Sequence, residues 1–227
     1  MTVPLPRFIW ALTAVLCVAA GARTEERSTT DLHPRPAPPL PAEEIEAAVQ
    51  RGVTFLLKDQ NPDGSWGSAE RTKALNIYAP VPGAHQAFRT AVTSLCVAAL
   101  IETGDRSQAV RQAIERGEAN LFKELPKVRR ATADAIYNVW THAYGIDALV
   151  QMYRRLPNDR ERQKKIVELI RGQYDRLTRY ESAEGGWGYY DFNAGTQRPA
   201  SSSTSFVNAA VLVAFHNAHA KIGRAHV

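Results

Sequence analysis

A glycine-rich turn that carries one tryptophan occurs twice in this chain, each time after a segment with the apolar period of an amphipathic helix. The first copy is Gly64-Ser65-Trp66-Gly67. The second, Gly185-Gly186-Trp187-Gly188, follows about 120 residues later. An aromatic turn that recurs after helices of similar pattern is the signature of a helical-hairpin repeat. This pattern constrains the fold more than any other part of the sequence.

Two types of predicted helix alternate between Glu43 and Lys221, and alternating β-branched runs are scarce. The first type carries charges on one face. It recurs in the same register as Ala48–Gly52 and Ala113–Gly117, with a looser copy at Arg171-Gly172. Such helices are expected to face solvent.

The second type of helix is poor in charge and rich in small residues, and it recurs at 97–100, 146–149 and 212–215. A helix that is apolar nearly all round is expected to be buried on all sides. Pairing the two types predicts three hairpins of about 60 residues. The inner helices are predicted over 88–104, 136–156 and 203–220.

One stretch resembles the Gln-Trp repeat of squalene and oxidosqualene cyclases. It comprises Arg51-Gly52, Phe55-Leu56 and Gln60, followed by Gly64-x-Trp66. The α/α toroid of those enzymes is similar to that of the β subunits of protein prenyltransferases. The third repeat keeps Gly185-x-Trp187 without the glutamine, and the second, from Leu125 to Ala135, has no Gly-x-Trp.

The resemblance covers roughly residues 43 to 221 and implies an all-α fold, an α/α toroid whose three hairpins leave the ring incomplete. It also implies a structural role for six residues of the motif, which are Gly52, Gln60, Gly64, Trp66, Gly185 and Trp187.

The chemistry of the resembling enzymes is not matched by residues of this chain. The cyclases carry an Asp-x-Asp-Asp acid at the start of an inner helix, where this sequence has Phe88-Arg89. The prenyltransferases need a zinc site of Asp, Cys and His. Here Cys96 lies on an apolar helix and reads as structural, and His216-x-x-His219 alone has metal spacing. The sequence therefore predicts no metal, no cofactor and no assigned catalytic residue.

Polar and aromatic residues nevertheless mark the predicted starts of the inner helices and the third turn. The candidates for substrate binding are His85, Arg89, Tyr137, Trp140, His142, Tyr190 and Asp191. One interpretation is an aromatic-lined pocket with a few convergent polar groups. In the other, these side chains pack the turn, cap it, or form a satisfied core histidine. Arg89, a charge at the head of a buried helix, needs a partner or an anionic ligand, and Asp147 is a candidate partner.

The two ends of the chain are predicted to lie outside the folded part. Residues 1–22 have the charge, apolar run and small-x-small site of a signal peptide, so export to the periplasm or the exterior is expected. Residues 23–42 form a proline-rich linker. Residues 222–227 read like a translated sequencing adapter, and we expect the chain to be a fragment of a longer protein.

The charge pattern excludes one class of partner. The formal net charge is +5, but no dense Lys/Arg run with interleaved aromatics is present, so nucleic-acid binding is not expected. Two functions stay open. The first is an exported protein that binds or transforms an isoprenoid-type hydrophobic substrate, with possible peripheral membrane contact. The second is a non-catalytic scaffold that binds a peptide, a glycan or a protein.

Overall fold

The computed structural model describes residues 38–68, 84–128, 138–188 and 203–223. The predicted signal peptide, the linker up to residue 37 and the terminal residues 224–227 lie outside these ranges. Every regular element in the described residues is helical, so the predicted all-α class is confirmed. The α-helices are α1 (Ala42–Asp59), α2 (Ala84–Glu102), α3 (Gln108–Glu124), α4 (Val139–Arg155), α5 (Arg160–Tyr180) and α6 (Ser205–Ile222).

Local chemistry sets several helix ends. The Ser107 hydroxyl accepts a hydrogen bond from the Val110 N–H at 3.3 Å, and the Asp159 carboxylate accepts one from the Arg162 N–H at 3.0 Å. Both satisfy an N–H group that has no partner within its helix. A 3₁₀ turn over Leu125–Lys127, with Pro126 near its start, ends α3.

Three helices lie side by side and run in the same direction. The Thr141 hydroxyl donates to the Ala87 carbonyl at 2.6 Å near the starts of α4 and α2. Gln151 donates to Glu102 near the ends of the same two helices. Trp140 stacks on Phe206 near the starts of α4 and α6, and further along Asn217 donates to Asp147. Helix α4 therefore lies between α2 and α6, and it also contacts α5.

Burial separates α4 from α1 but does not divide the two predicted helix types, because α3 of the first type is as buried as α2 of the second. Helix α4 is buried along most of its circumference, whereas Val53 is the buried residue of α1. Helix α6 was expected to be buried on all sides, and that expectation is wrong. It exposes Phe206, Leu212 and Val213, because no described helix packs on that side.

The two tryptophan turns have the same hydrogen bonds. In each, the indole N–H donates at 2.8 Å to a carbonyl ten residues earlier, that of Leu56 for Trp66 and of Leu177 for Trp187. Each tryptophan backbone N–H donates to a side chain of the next described helix. The acceptors are Thr93 at 3.0 Å and Asn208 at 2.7 Å.

The first turn is docked on α3. A Cβ at Gly64 would lie 2.3 Å from the Arg116 carbonyl oxygen, and one at Gly117 would lie 2.9 Å from the Trp66 ring. The Gln60 amide donates to the Ala113 carbonyl at 2.9 Å and to the Gly64 carbonyl at 3.0 Å. Both close approaches need glycine, so small residues on each side allow the turn to reach the helix backbone.

The shared hydrogen bonds also fix the register between α1 and α5. Leu56 and Leu177 accept the indole N–H in the two turns, so they are equivalent positions. Four residues before each of them, Gly52 corresponds to Gln173. The sequence alignment of Arg171-Gly172 with Arg51-Gly52 is therefore displaced by one residue.

A buried carboxylate joins three helices away from the turns. Glu118 of α3 is almost fully buried and accepts hydrogen bonds from Arg155 at 2.7 and 3.1 Å. It also accepts one from Arg162 of α5. A buried carboxylate needs such partners because its desolvation is costly.

We predict that Trp66→Ala lowers the free energy of unfolding by about 3–5 kcal/mol, because it removes a buried aromatic and leaves a cavity. Phe206→Ala is the control, since Phe206 is mostly exposed and its loss should cost about 1 kcal/mol or less. Urea unfolding measures both. Equal effects of the two changes would contradict the structural role of Trp66.

We predict that Glu118→Ala lowers the free energy of unfolding by about 3 kcal/mol, because it leaves two arginines without their buried partner. This value is at the low end for a broken buried ion pair, since both arginine side chains partly reach solvent. Glu115→Ala, at an exposed position of the same helix, should change it by less than about 0.5 kcal/mol. Thermal or urea unfolding of both variants tests this, and a silent Glu118→Ala would show that the ion cluster does not join the helices.

Candidate functional site

Helix α4 leaves one stripe partly exposed while the rest of its surface is largely buried. The stripe consists of Trp140, Tyr144, Asp147 and Gln151, which follow one another at the spacing of a single helix face. Aromatic and polar side chains thus share the accessible side of an otherwise apolar helix.

The beginning of this stripe is aromatic. The Trp140 ring stacks on Tyr144 with centroids 5.6 Å apart, and on Phe206 of α6 with centroids 5.7 Å apart. Such offset stacking holds large apolar surfaces in fixed positions. The three rings form a continuous aromatic surface across α4 and α6.

The end of the stripe is polar. An Asp147 oxygen accepts a hydrogen bond from the Asn217 amide at 3.0 Å, and Gln151 donates to Glu102 of α2. Burial raises the pKa of Asp147, and the Asn217 hydrogen bond opposes part of that rise. Burial also raises the pKa of Tyr144, with a smaller contribution from the charge of Asp147. Water is therefore partly excluded from this region.

Helix α2 extends the same surface. Val92 and Leu95 are exposed, and their spacing places them on the same side of α2 as Glu102. The Glu102 carboxylate accepts a hydrogen bond from Gln151 of α4. We call the combined surface the α2/α4/α6 face. It consists of Val92, Leu95 and Glu102 on α2, the four-residue stripe of α4, and Phe206, Val213 and Asn217 on α6.

Arg89 does not pair with Asp147, which was its candidate partner. Its guanidinium donates to both carboxylate oxygens of Asp63, at 3.0 and 2.9 Å, in the first tryptophan turn. The Ser65 hydroxyl bound to Asp63 lowers the pKa of that carboxyl, and the Arg89 charge lowers it further. The sequence missed this pair because the turn brings together residues that belong to different elements. The Arg89 charge is therefore compensated within the chain.

His142 lies on the side of α4 opposite Trp140, because residues two positions apart on an α-helix are about 200° apart around its axis. It is fully buried, and its Nδ1 lies 2.7 Å from the Gln173 amide oxygen. The Asn138 amide group is 3.1 Å from its Nε2. With Asn138 as donor, Nε2 accepts and Nδ1–H donates to Gln173. His142 is thus a satisfied core histidine, and it does not line the same surface as Trp140.

The remaining predicted site residues have no described side chains. Tyr137, Tyr190 and Asp191 lie outside the described residues, and His85 belongs to α2 without a described side chain. Trp140 is the predicted residue that the structure places on the α2/α4/α6 face. Sequence reasoning missed Tyr144, Gln151, Phe206 and Asn217 as members of this face. The helical spacing within 140–151 was a usable signal for the first two.

Metal and membrane features were searched over the described residues. No group of three or more His, Cys, Asp or Glu side chains there is placed to hold a metal ion. Burial raises the pKa of Cys96 to about 11, aided by the charge of Asp59, so its thiol stays protonated at neutral pH. None of the described helices combines the length and the apolar character needed to cross a bilayer.

Comparison with known proteins assigns no family to this chain. No protein-family model matches the sequence, and no solved structure gives a significant match. Its function has to be argued from its own residues.

We predict that His142 makes stability fall as the solution is acidified. Burial lowers the pKa of His142 from 6.5 to about 4. The hydrogen bond to Gln173 opposes part of this shift, and the Arg176 charge adds a smaller lowering. The unfolded chain therefore takes up a proton from about pH 6.5 downward while the folded protein does not. Stability contributed by the neutral imidazole is complete above pH 6.5. It decreases by up to about 3 kcal/mol toward pH 4, below which the loss is constant.

The measurement is an NMR titration of the His142 ring in the folded protein, together with urea unfolding between pH 7 and pH 4. An imidazole that titrates near its ordinary value of 6.5 while the protein stays folded would contradict the buried, neutral assignment.

Proposed function

We propose that the described helices are three hairpins of an α/α toroid, with α1, α3 and α5 outside and α2, α4 and α6 inside. Two observations support this arrangement. Helices α2, α4 and α6 are parallel neighbours in chain order, and both described tryptophan turns have the same hydrogen bonds. The motif residues Gln60, Gly64 and Trp66 then join the first hairpin to the second.

We further propose that the α2/α4/α6 face binds a hydrophobic, isoprenoid-type molecule. The observation that carries this proposal is the stacked row of Tyr144, Trp140 and Phe206. Helices α2 and α6, on either side of α4, also carry the exposed apolar side chains Leu95 and Val213. Large apolar side chains that stay exposed next to one another are typical of a binding surface rather than of an ordinary protein exterior.

Binding is favoured over alkene protonation. Asp147 is the carboxyl group of α4 on this face, and burial raises its pKa, which makes it a weaker acid than an ordinary aspartic acid. Protonation of a hydrocarbon needs a strong acid in a preorganised site. The described face therefore supports the binding of a terpenoid-type ligand more than its protonation by Asp147.

A glycan, peptide or protein partner is the second candidate, and the polar end of the face favours it. Asp147, Asn217, Gln151 and Glu102 offer amide and carboxylate groups beside an aromatic surface. Hydroxyl-rich or cationic groups would find partners there. Export and peripheral membrane contact stay predictions.

We predict that Trp140→Ala weakens the binding of a neutral polyprenol by about 10- to 100-fold, because it removes the ring on which the other two stack. Arg89→Ala should leave this affinity within about twofold, since Arg89 is held by Asp63. Titration calorimetry with detergent-solubilised polyprenol gives both values.

Phe122→Ala is the matched control, because Phe122 is an aromatic residue of α3 that lies under Arg162 and Lys165, away from the proposed site. Binding of an oligosaccharide or a peptide instead of polyprenol, lost in Trp140→Ala, would favour the second candidate. Polyprenol binding that is unchanged in Trp140→Ala would exclude this face as the site.

A further inference from the structure

Helix α4 carries a half-buried carboxylate on its accessible stripe. Asp147 follows Trp140 and Tyr144 along this stripe, and α2 and α6 lie on the two sides of α4. The stripe is therefore accessible on a helix that has a described neighbour on each side. Burial raises the pKa of Asp147, so its carboxylate is partly removed from water.

Two other carboxylates of the described residues are held by arginine. Glu118 accepts hydrogen bonds from Arg155 and Arg162, and it is almost fully buried. Asp63 accepts from Arg89 through both of its oxygens. Such partners offset the cost of removing a negative charge from water.

Asp147 has no cationic partner in the described part of the chain. One of its oxygens accepts a hydrogen bond from the neutral Asn217 amide at 3.0 Å. Burial and this amide determine its pKa, and no positive charge contributes. The nearest arginine further along α4, Arg154, donates to Gln151 instead. The negative charge of Asp147 is therefore left without compensation on an accessible surface.

The ring next to Asp147 completes a site for a positive charge. Because an α-helix rises 1.5 Å per residue, Asp147 lies about 4.5 Å beyond Tyr144 and about 10.5 Å beyond Trp140 along the axis. The charge of Asp147 contributes to the raised pKa of Tyr144, so the two groups are close enough to interact. The face of an aromatic ring attracts an ammonium group, and a neighbouring carboxylate adds to that attraction.

The other two rings of the face are suited to an apolar chain. Trp140 stacks on Tyr144 with centroids 5.6 Å apart and on Phe206 with centroids 5.7 Å apart. The stack extends from Tyr144 toward the start of α4, away from Asp147. A charged group at Asp147 and a hydrocarbon chain on the rings can therefore be bound at the same time.

We propose that the α2/α4/α6 face is specific for an amphiphile that carries a positively charged amine. The ammonium group binds between the Asp147 carboxylate and the Tyr144 ring, and the hydrocarbon covers Trp140 and Phe206. This inference rests on the proposed function of the face and adds the charge of the ligand's head group. A phosphate head group is disfavoured, because its negative charge would meet Asp147 and Glu102.

Three ligands with one chain and different head groups test the proposal. They are geranylgeranylamine, geranylgeraniol and geranylgeranyl phosphate, each titrated into the purified protein in a nonionic detergent at neutral pH. The amine is then protonated, since aliphatic amines have a pKa of about 10. We expect the amine to bind at least about tenfold more tightly than the alcohol, and the phosphate at least about tenfold more weakly. Non-specific attraction to a chain of net charge +5 would favour the phosphate instead.

The variant Asp147→Asn removes the negative charge and keeps an acceptor for the Asn217 amide. It should bring the ratio of amine to alcohol affinity to within about twofold of unity. Asp175→Asn is the matched control, because it removes the same charge at an exposed position of α5, outside the face. In that variant the ratio should stay at about ten or more. Trp140→Ala should weaken the amine and the alcohol together, so it reports on the hydrophobic part of the site.

Equal affinities of the amine and the alcohol, with both weakened in Trp140→Ala, would overturn this inference and leave the proposed function standing. A phosphate that binds as tightly as the amine would also overturn it. So would a preference for the amine that Asp147→Asn retains or that Asp175→Asn abolishes. If none of the three ligands binds, the proposed function fails and this inference fails with it.

Discussion

The docking of the Trp66 turn on α3 is the contact on which the rest of the structure depends. The indole is buried, its N–H is satisfied by the helix that precedes it, and its ring lies against Gly117. A larger residue at Gly64 or Gly117 would separate the turn from the helix. The contact therefore sets the spacing between α1 and α3, and Thr93 holds α2 to the same turn.

The positions of α2 and α4 follow from this spacing. Helix α4 is enclosed by α2, α5 and α6, and its accessible side is the stripe from Trp140 to Gln151. The His142–Gln173 hydrogen bond holds α4 to α5 on the opposite side, and the buried Glu118 cluster joins the end of α4 to α3 and α5. The surface proposed for ligand binding thus rests on a helix whose position is fixed by contacts on its other faces.

Sequence reasoning predicted what depends on local pattern. The all-α class and the positions of α2, α4 and α6 along the chain followed from the apolar period, and the structural bounds agree to within about four residues. The partner of Arg89 did not follow, because Asp63 and Arg89 are brought together by the geometry of a turn.

The two sides of α4 show the same limit. Trp140 and His142 are close in sequence, and both were candidates for one site, yet the helix separates them into a surface and a core position. Exposure of α6 was also missed, since a uniformly apolar helix has no polar face to mark its accessible side.

The most direct test of this account compares alanine at the two equivalent glycines, with unfolding measured at a protein concentration at which the chain is monomeric. Gly117→Ala should lower the free energy of unfolding by about 1–3 kcal/mol, because its Cβ strikes Val97 and Trp66. Gly52→Ala should raise it by up to about 1 kcal/mol, because alanine favours the helix and meets open space. Equal effects at the two positions would contradict the docking of the tryptophan turn on α3.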